Sequence, residues 1–170
     1  MFDNHTLTSP WPISLFIMNH LYQINISKGG VPKLPTDEAM VTFEGIVGDK
    51  QKDRRYHGGP ERAVCLFSID IIHKLQQEGH PIEAGSTGEN LTLSFNKYGL
   101  LTPGIKLQIG TDVILQVTSY AAPCKTIKKS FLNELFVRIS QKVFPNESRI
   151  YTRVLREGKI RKGDHVDIIV

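Results

Sequence analysis

Short segments in which apolar and polar residues alternate occur along most of the chain. In residues 21–27, Tyr22, Ile24 and Ile26 alternate with polar residues. The same period recurs at Val41/Phe43, Leu91/Leu93/Phe95, Ile105/Leu107/Ile109, Val113/Leu115/Val117 and Val166/Ile168/Val170. A period of two is typical of strands with one buried face, and clusters of Gly, Pro, Asn and Asp separate these segments. The pattern therefore predicts six or more short strands.

Two other segments show helical spacing. Residues 68–79 begin at Ser68, a suitable N-cap, and end at Gly79. Residues 130–143 begin at a serine, stop before Pro145 and carry an apolar stripe of Leu132, Leu135, Phe136, Ile139 and Val143. We predict a helix in each. Many short strands with two or three helices favour a mainly β fold, a β-barrel of α+β type, over a doubly wound parallel sheet.

The length of 170 residues suits one domain, and we expect residues 19–170 to form it. Residues 1–18 are expected to be an N-terminal extension. Their apolar patch is too short for a membrane span and has no basic residue before it, so neither a signal peptide nor membrane attachment is expected. The default expectation is a cytoplasmic protein. Dinucleotide and P-loop phosphate motifs are absent, which argues against those enzyme classes.

The net charge of +4 is modest and favours small anions at a focused site. Nucleic acid is not an expected partner, because no aromatic residues are interleaved with the basic ones. The two cysteines, Cys65 and Cys124, are too few for a disulfide framework or an iron–sulfur cluster. Cys65 lies in an apolar run that is typical of a buried thiol.

Of the two cysteines, Cys124 is the better candidate for a reactive thiol. It lies beside a proline and three lysines, a few residues after the predicted strand at Val113–Val117. Nearby cations favour the thiolate, and a loop at the end of a strand holds a reactive group rigidly. The alternative is a half-buried thiol with no chemical role.

Three further stretches carry candidate binding residues. The charged stretch of residues 48–64 is either a solvated loop or a wall that binds an anion or a metal; its candidates are Lys50, Asp53, Arg54, His57 and Gly58. A loop of small residues supplies Ser86, Thr87 and Asn90, whose polar groups suit phosphate oxygens but also occur in ordinary turns. Arg149 and Arg153 are either anion clamps or surface arginines.

Taken in order, four stretches resemble the MOSC domain, named after the C-terminal domain of molybdenum cofactor sulfurases. They are "ISKGGVPKLP", "GIVGDKQKDRRYHGGPERAVCLFS", "GSTGENLTL" and "TPGIKLQIGTDVILQVTSYAAPCKTI". The resemblance extends from about Leu21 to Val170. The chain looks most like the small stand-alone bacterial members of the family, which resemble proteins that detoxify N-hydroxylated bases. It implies a barrel of the pyruvate kinase β-barrel type that binds molybdenum cofactor (molybdopterin).

The resemblance also implies roles for individual residues. Cys124 matches the family cysteine whose thiolate binds the metal. The phosphate and pterin of the cofactor would be met by Lys50, Arg54, His57, Gly58, Ser86, Thr87, Asn90, Arg149 and Arg153. The expected reaction is the reduction of a small N-hydroxylated substrate.

In that reaction His57 or Asp53 would deliver a proton to the leaving hydroxide. The chain has no flavin or haem motif, so a separate reductase is expected as the electron donor. The alternative function is a carrier that holds sulfur as a persulfide on Cys124, or holds the cofactor for delivery, without turnover.

Overall fold

The structure is a computed structural model that describes residues 19–50 and 58–170. The predicted extension at residues 1–18 lies outside the described residues. The strands in the described part are β1 (His20–Ile26), β2 (Leu34–Thr36), β3 (Glu38–Thr42), β4 (Gly45–Ile46), β5 (Val64–Ser68), β6 (Leu91–Ser94), β7 (Lys106–Ile109), β8 (Val113–Tyr120), β9 (Ile150–Arg156), β10 (Gly158–Arg161) and β11 (Val166–Ile169).

The described chain contains one α-helix, α1 (Ile69–Gln77), at the first predicted helical position. Ser68 is its N-cap, because the Ser68 hydroxyl accepts hydrogen bonds from the backbone N–H groups of Asp70 and Ile71. Ile72 and Leu75 are fully buried against the sheet. Short 3₁₀ turns occupy Pro60–Arg62, Tyr98–Leu100, Lys125–Ser130, Leu132–Glu134 and Phe136–Ile139. None of the helices in the described residues is long and apolar enough to cross a membrane.

Eight strands form one sheet in the order β11-β7-β8-β9-β5-β6-β1-β2. Strands β5 and β6 are parallel and are connected through α1, whereas the other neighbours in this sheet are antiparallel. The sheet curls until β1 meets the start of β11 through an isolated bridge between His20 and His165. The prediction of a mainly β, barrel-type fold is confirmed, with a single bridge rather than a continuous ladder between those two strands. Strands β10, β3 and β4 form a second, small sheet.

The apolar positions of the alternating segments form the core. In β8 the buried residues are Val113, Leu115 and Val117, as the period of two predicts. Strand β1 departs from the prediction, because a register shift between Leu21 and Gln23 interrupts the alternation. As a result Leu21 is fully buried, while Tyr22 is only half-buried.

The prediction of a helix at residues 130–143 is wrong. This segment forms consecutive 3₁₀ turns, with positive φ at Asn133 and Glu134. About half of the surface of Leu132 and Leu135 is exposed, so the apolar stripe does not mark a buried face. Strands β9 and β10 were not predicted, because the stretch at residues 147–164 was interpreted for its charges alone.

Candidate functional site

A cavity of about 740 Å³ opens where β8 ends and β9 begins. Five separate loops and strand ends contribute to its wall: parts of residues 30–33, 62–65, 87–90, 120–127 and 149–151, together with Lys50. Strand β5 pairs with β9, and β9 pairs with β8, so these strand ends are adjacent at one edge of the sheet. The pairing therefore brings together candidates that are far apart in the sequence.

Cys124 lines this cavity, on the loop that follows β8. Its backbone is extended, and the residue directly precedes the 3₁₀ turn Lys125–Ser130. The thiol is half-buried and lies 2.8 Å from the hydroxyl of Thr126. The sulfur is thus held at the cavity wall by a backbone that turns immediately after it.

Arg149 lies beside Cys124 in the wall and connects two of the loops. Its Nη1 donates to the carbonyl oxygen of Thr87, and its Nη2 lies 3.5 Å from the carbonyl oxygen of Ala122. The residue is 95% buried, and its Nε has no hydrogen-bond partner. A buried guanidinium in this position fixes the loop that carries Cys124 and places a positive charge at the cavity.

Lys33 is a second buried cation in the wall. It was not predicted as a site residue. Its Nζ forms a 2.5 Å ion pair with Asp49, and both side chains are at least nine-tenths buried. Asp49 also accepts hydrogen bonds from Asn90 Nδ2 and from the backbone N–H of Ser27. The only sequence signal was an isolated lysine between two prolines, which predicts nothing by itself.

Asn90 lines the cavity, and both ends of its side-chain amide form hydrogen bonds with the protein. Its Nδ2 donates to Asp49, and its Oδ1 accepts from the backbone N–H of Cys65 at 3.1 Å. The side chain therefore ties the Lys33–Asp49 pair to β5. Because the protein already occupies both ends of the amide, Asn90 has little hydrogen-bonding capacity left for a ligand.

The small-residue loop contributes Thr87 and Gly88 to the wall. Thr87 donates to the fully buried carboxylate of Glu89, which holds the loop from behind. Gly88 has φ of +85°, and a Cβ there would lie 3.0 Å from Val31, so glycine keeps this wall open. Ser86 is not among the lining residues; its hydroxyl contacts that of Ser130.

Cys65 and Tyr151 belong to the apolar part of the wall. Burial raises the pKa of Cys65 to about 11 and that of Tyr151 to about 12. The guanidinium of Arg62 lies over the Tyr151 ring, 5.6 Å from its centre. Neither Arg62 nor Tyr151 was predicted as a site residue; the stretch that contains Tyr151 was interpreted for its charges alone.

The remaining predicted residues are distributed as follows. Lys50 lines the cavity, and Gly58 lines a neighbouring cavity of about 540 Å³ that shares Lys50. Arg153 is not among the lining residues; its guanidinium contacts Gln116 at 2.6 Å and Glu61 at 3.3 Å. Asp53, Arg54 and His57 lie outside the described residues.

The charged side chains in the wall all carry the same sign. Among the described residues, the lining contains four cations, Lys33, Lys50, Arg62 and Arg149, and no carboxylate. A cleft lined by one sign of charge attracts ligands of the opposite sign. The cavity is therefore suited to an anionic ligand.

Comparison with known proteins identifies the family of this chain. The family model of the MOSC domain matches residues 53–167. YflK of Bacillus subtilis is 27% identical over 143 residues, which are 82% of this chain and 63% of YflK. YiiM of Escherichia coli is 26% identical over 106 residues, 59% of this chain and 47% of YiiM. A reductase of Gibberella moniliformis is 27% identical over 129 residues, 74% of this chain and 22% of the reductase.

This chain thus spans less than two thirds of the length of each of these relatives. Among solved structures, YiiM from Geobacillus stearothermophilus superimposes with a TM-score of 0.69 at 25% identity, covering 89% of this chain and 75% of that one. The YUAD protein from Bacillus subtilis has a TM-score of 0.71 at 17% identity, covering 89% and 95%, and supports the fold alone. The chain belongs to the MOSC domain family, a molybdenum-cofactor-related family of domains.

Proposed function

We propose that this protein binds molybdenum cofactor with the Cys124 thiolate as the metal ligand and reduces N-hydroxylated compounds such as N-hydroxylated bases. The observation that carries the proposal is the position of Cys124. The family cysteine lines the same cavity as the buried cations Arg149 and Lys33. A soft thiolate and anion-binding groups are what a metal carried by a phosphorylated pterin requires.

The residues of the wall fit such a group. The cavity volume of about 740 Å³ is within the range of roughly 300–1,000 Å³ usual for ligand pockets. Arg149 has a buried Nε without a partner, in a wall that otherwise satisfies its polar atoms with the protein. Gly88 leaves room where any side chain would press against Val31.

Each wall residue has a distinct task in this proposal. Cys124 would hold the metal, and Arg149 would balance the charge of the phosphate, whereas the charge of Lys33 is already balanced by Asp49. Thr87 keeps Arg149 in place through its carbonyl oxygen. Lys50, nearer to solvent, adds a further positive charge. When bound, the cofactor supplies two-electron redox chemistry, and the protein orients it and excludes competing reactions.

The overall reaction consumes two electrons and two protons, breaks the N–O bond and releases water: R₂N–OH + 2e⁻ + 2H⁺ → R₂NH + H₂O. The electrons come from a separate reductase. The proton donor that we predict for the leaving hydroxide, His57 or Asp53, lies outside the described residues. That proton converts the hydroxide to water, and a second proton, taken from solvent, protonates the nitrogen, so atoms and charge balance.

The test is the metal and pterin content of protein purified from a host that makes the cofactor. We expect Cys124→Ala to lose both, and to lose the reduction of N-hydroxylated substrates by a chemical reductant. The control is Ser94→Ala, an equally small truncation outside the cavity. Full metal content in Cys124→Ala would contradict the ligand role, and cyanide-releasable sulfur on Cys124 without metal would support the carrier alternative.

A further inference from the structure

We propose that an acidic protein electron carrier binds the surface formed by residues 125–144 and delivers electrons to the site from there. The inference deepens the proposed function, which requires a separate electron donor, and it rests on that function. This docking surface begins directly after Cys124, and two of its residues, Thr126 and Ile127, line the cavity. A carrier bound there lies next to the wall that contains the metal ligand of the proposed function.

Large apolar side chains are exposed along the docking surface. Five such residues are each between 38% and 57% exposed: Leu132, Leu135, Val137, Val143 and Phe144. Three of them belong to the apolar stripe that the sequence pattern places on one face of a helix. Because the segment folds into 3₁₀ turns instead, these three remain at the surface. Exposed apolar residues that adjoin charged ones are typical of protein interaction sites.

The turns that carry these side chains are folded against one another. The turn Lys125–Ser130 contacts both of the 3₁₀ turns that follow it. An ion pair of 2.8 Å between Lys128 and Glu134 joins it to the next turn. After the last turn, the centre of the Phe144 ring lies 3.9 Å from the guanidinium of Arg138. The apolar residues and the neighbouring lysines therefore belong to one continuous surface.

The charge of the docking surface is positive. Glu134 is the only acidic residue between positions 125 and 144, and it is paired with Lys128. Lys125, Lys129 and Lys142 are exposed, and no carboxylate of the described residues forms an ion pair with them. A carrier with carboxylates around its redox centre is complementary to these lysines. Electron-transfer interfaces are usually small, below about 1,200 Å², and a few apolar contacts within a charged rim suit them.

The experiment uses flavodoxin, an acidic carrier of single electrons, with the full-length, cofactor-loaded protein. Two molecules of reduced flavodoxin each lose one electron, and the two electrons with two protons convert R₂N–OH to R₂NH and water. In Leu135→Asp and Lys142→Glu we expect kcat/KM for reduced flavodoxin to fall about tenfold, because the added negative charge repels the carrier. With dithionite, a small reductant that needs no docking surface, both variants should match the parent protein.

Matched substitutions away from the docking surface serve as controls. Met40→Asp lies on β3 of the small sheet, and Lys162→Glu lies between β10 and β11; both residues are exposed. Neither control should change the rate with either reductant. Equal effects of control and docking-surface variants, or an equal loss with flavodoxin and with dithionite, would overturn the inference. If dithionite does not drive the reduction by the metal-loaded parent, the proposed function fails instead.

A binding measurement tests the docking surface without turnover. Oxidised flavodoxin is titrated into the parent protein by calorimetry at low and at high salt. Binding should be measurable at low salt, weaken as salt is added, and be lost in Lys142→Glu but kept in Lys162→Glu. Absence of binding at low salt would contradict the inference. Sedimentation of the protein alone tests a different occupant: a dimer that Leu135→Asp separates would mean that a second copy covers this surface, and the inference would then be wrong.

Discussion

Two cysteine thiols line one cavity in this protein, and their surroundings assign them different chemistry. Cys124 is half-buried on a loop beside Thr126, whereas Cys65 is buried in β5 against Ala121 and Tyr151. Loss of solvation disfavours a charged sulfur and raises the pKa of Cys65 to about 11. Although both thiols line the same cavity, Cys124 is the more accessible of the two to a reagent from solvent.

This contrast predicts selective alkylation. With iodoacetamide at pH 8 we expect modification of Cys124 in the native, cofactor-free protein, while Cys65 reacts only after unfolding in urea. A pKa of about 11 leaves about one Cys65 in a thousand as the reactive thiolate at that pH. Peptide mass spectrometry over a time course measures both sites in one sample. Equal rates at the two sites would contradict the interpretation.

At the same scale, the sequence predicted residues whose chemistry is local and missed those whose partners are distant. Cys124 was found because its proline, its lysines and the preceding strand are all adjacent in the chain. The Lys33–Asp49 pair was missed because the two residues are 16 positions apart and meet only in the fold. Asn90 lines the cavity, but its hydrogen bonds to Asp49 and Cys65 could not be predicted from a turn-like sequence.

Among the elements, the segment at residues 130–147 shows how tertiary contacts override a helical pattern. The ring of His80 accepts a hydrogen bond from the backbone N–H of Leu132 at 3.0 Å. The guanidinium of Arg138 forms two hydrogen bonds with Glu78 and an ion pair with Glu147. These contacts attach the segment to the residues at the end of α1. In a regular helix, Leu132 and Arg138 would not lie on the same face and could not make both contacts.

The ion-pair cluster of Glu78, Arg138 and Glu147 leads to a prediction about acid stability. The Arg138 hydrogen bonds lower the pKa of Glu78. For Glu147 burial acts in the opposite direction, but hydrogen bonds from Lys74 and Arg138 outweigh it and lower the pKa. A carboxyl with a lowered pKa stabilises the native state above its unfolded pKa, and this contribution disappears as the pH falls through the native value.

We therefore expect Arg138→Met to reduce the free energy of unfolding at pH 7 by about 1–2 kcal/mol, a value discounted because Glu78 is partly exposed. The difference between variant and parent should shrink toward zero near pH 3. Urea unfolding followed by fluorescence at several pH values measures it. The control is Arg161→Met on the exposed edge of β10, which should change little at any pH. A difference that stays constant down to pH 3 would show that packing, not charge, sets the effect.

For the whole molecule, composition and alternation were enough to predict a mainly β fold, because several strands, such as β7 and β8, carry their own period of two. The strand order was not predictable in the same way. Strand β5 lies between β9 and β6, and β1 reaches the start of β11, which are pairings between distant parts of the chain. Because the cavity is made where such distant segments meet, its wall could be predicted only in pieces.

The cavity wall is built from segments that lie far apart in the sequence, so a ligand that fills the cavity should stabilise all of them together. A ligand that binds only the native state stabilises the whole fold, by about 2.7 kcal/mol when its concentration is a hundred times its Kd. Removing the cofactor should therefore lower the thermal midpoint by several degrees. It should also speed amide exchange in residues 30–33, 87–90 and 120–127 together, although these segments lie up to about ninety residues apart in sequence. Differential scanning calorimetry and hydrogen exchange of loaded and stripped protein test this. Protection confined to the Cys124 loop would mean that the ligand contacts the thiol without filling the cavity.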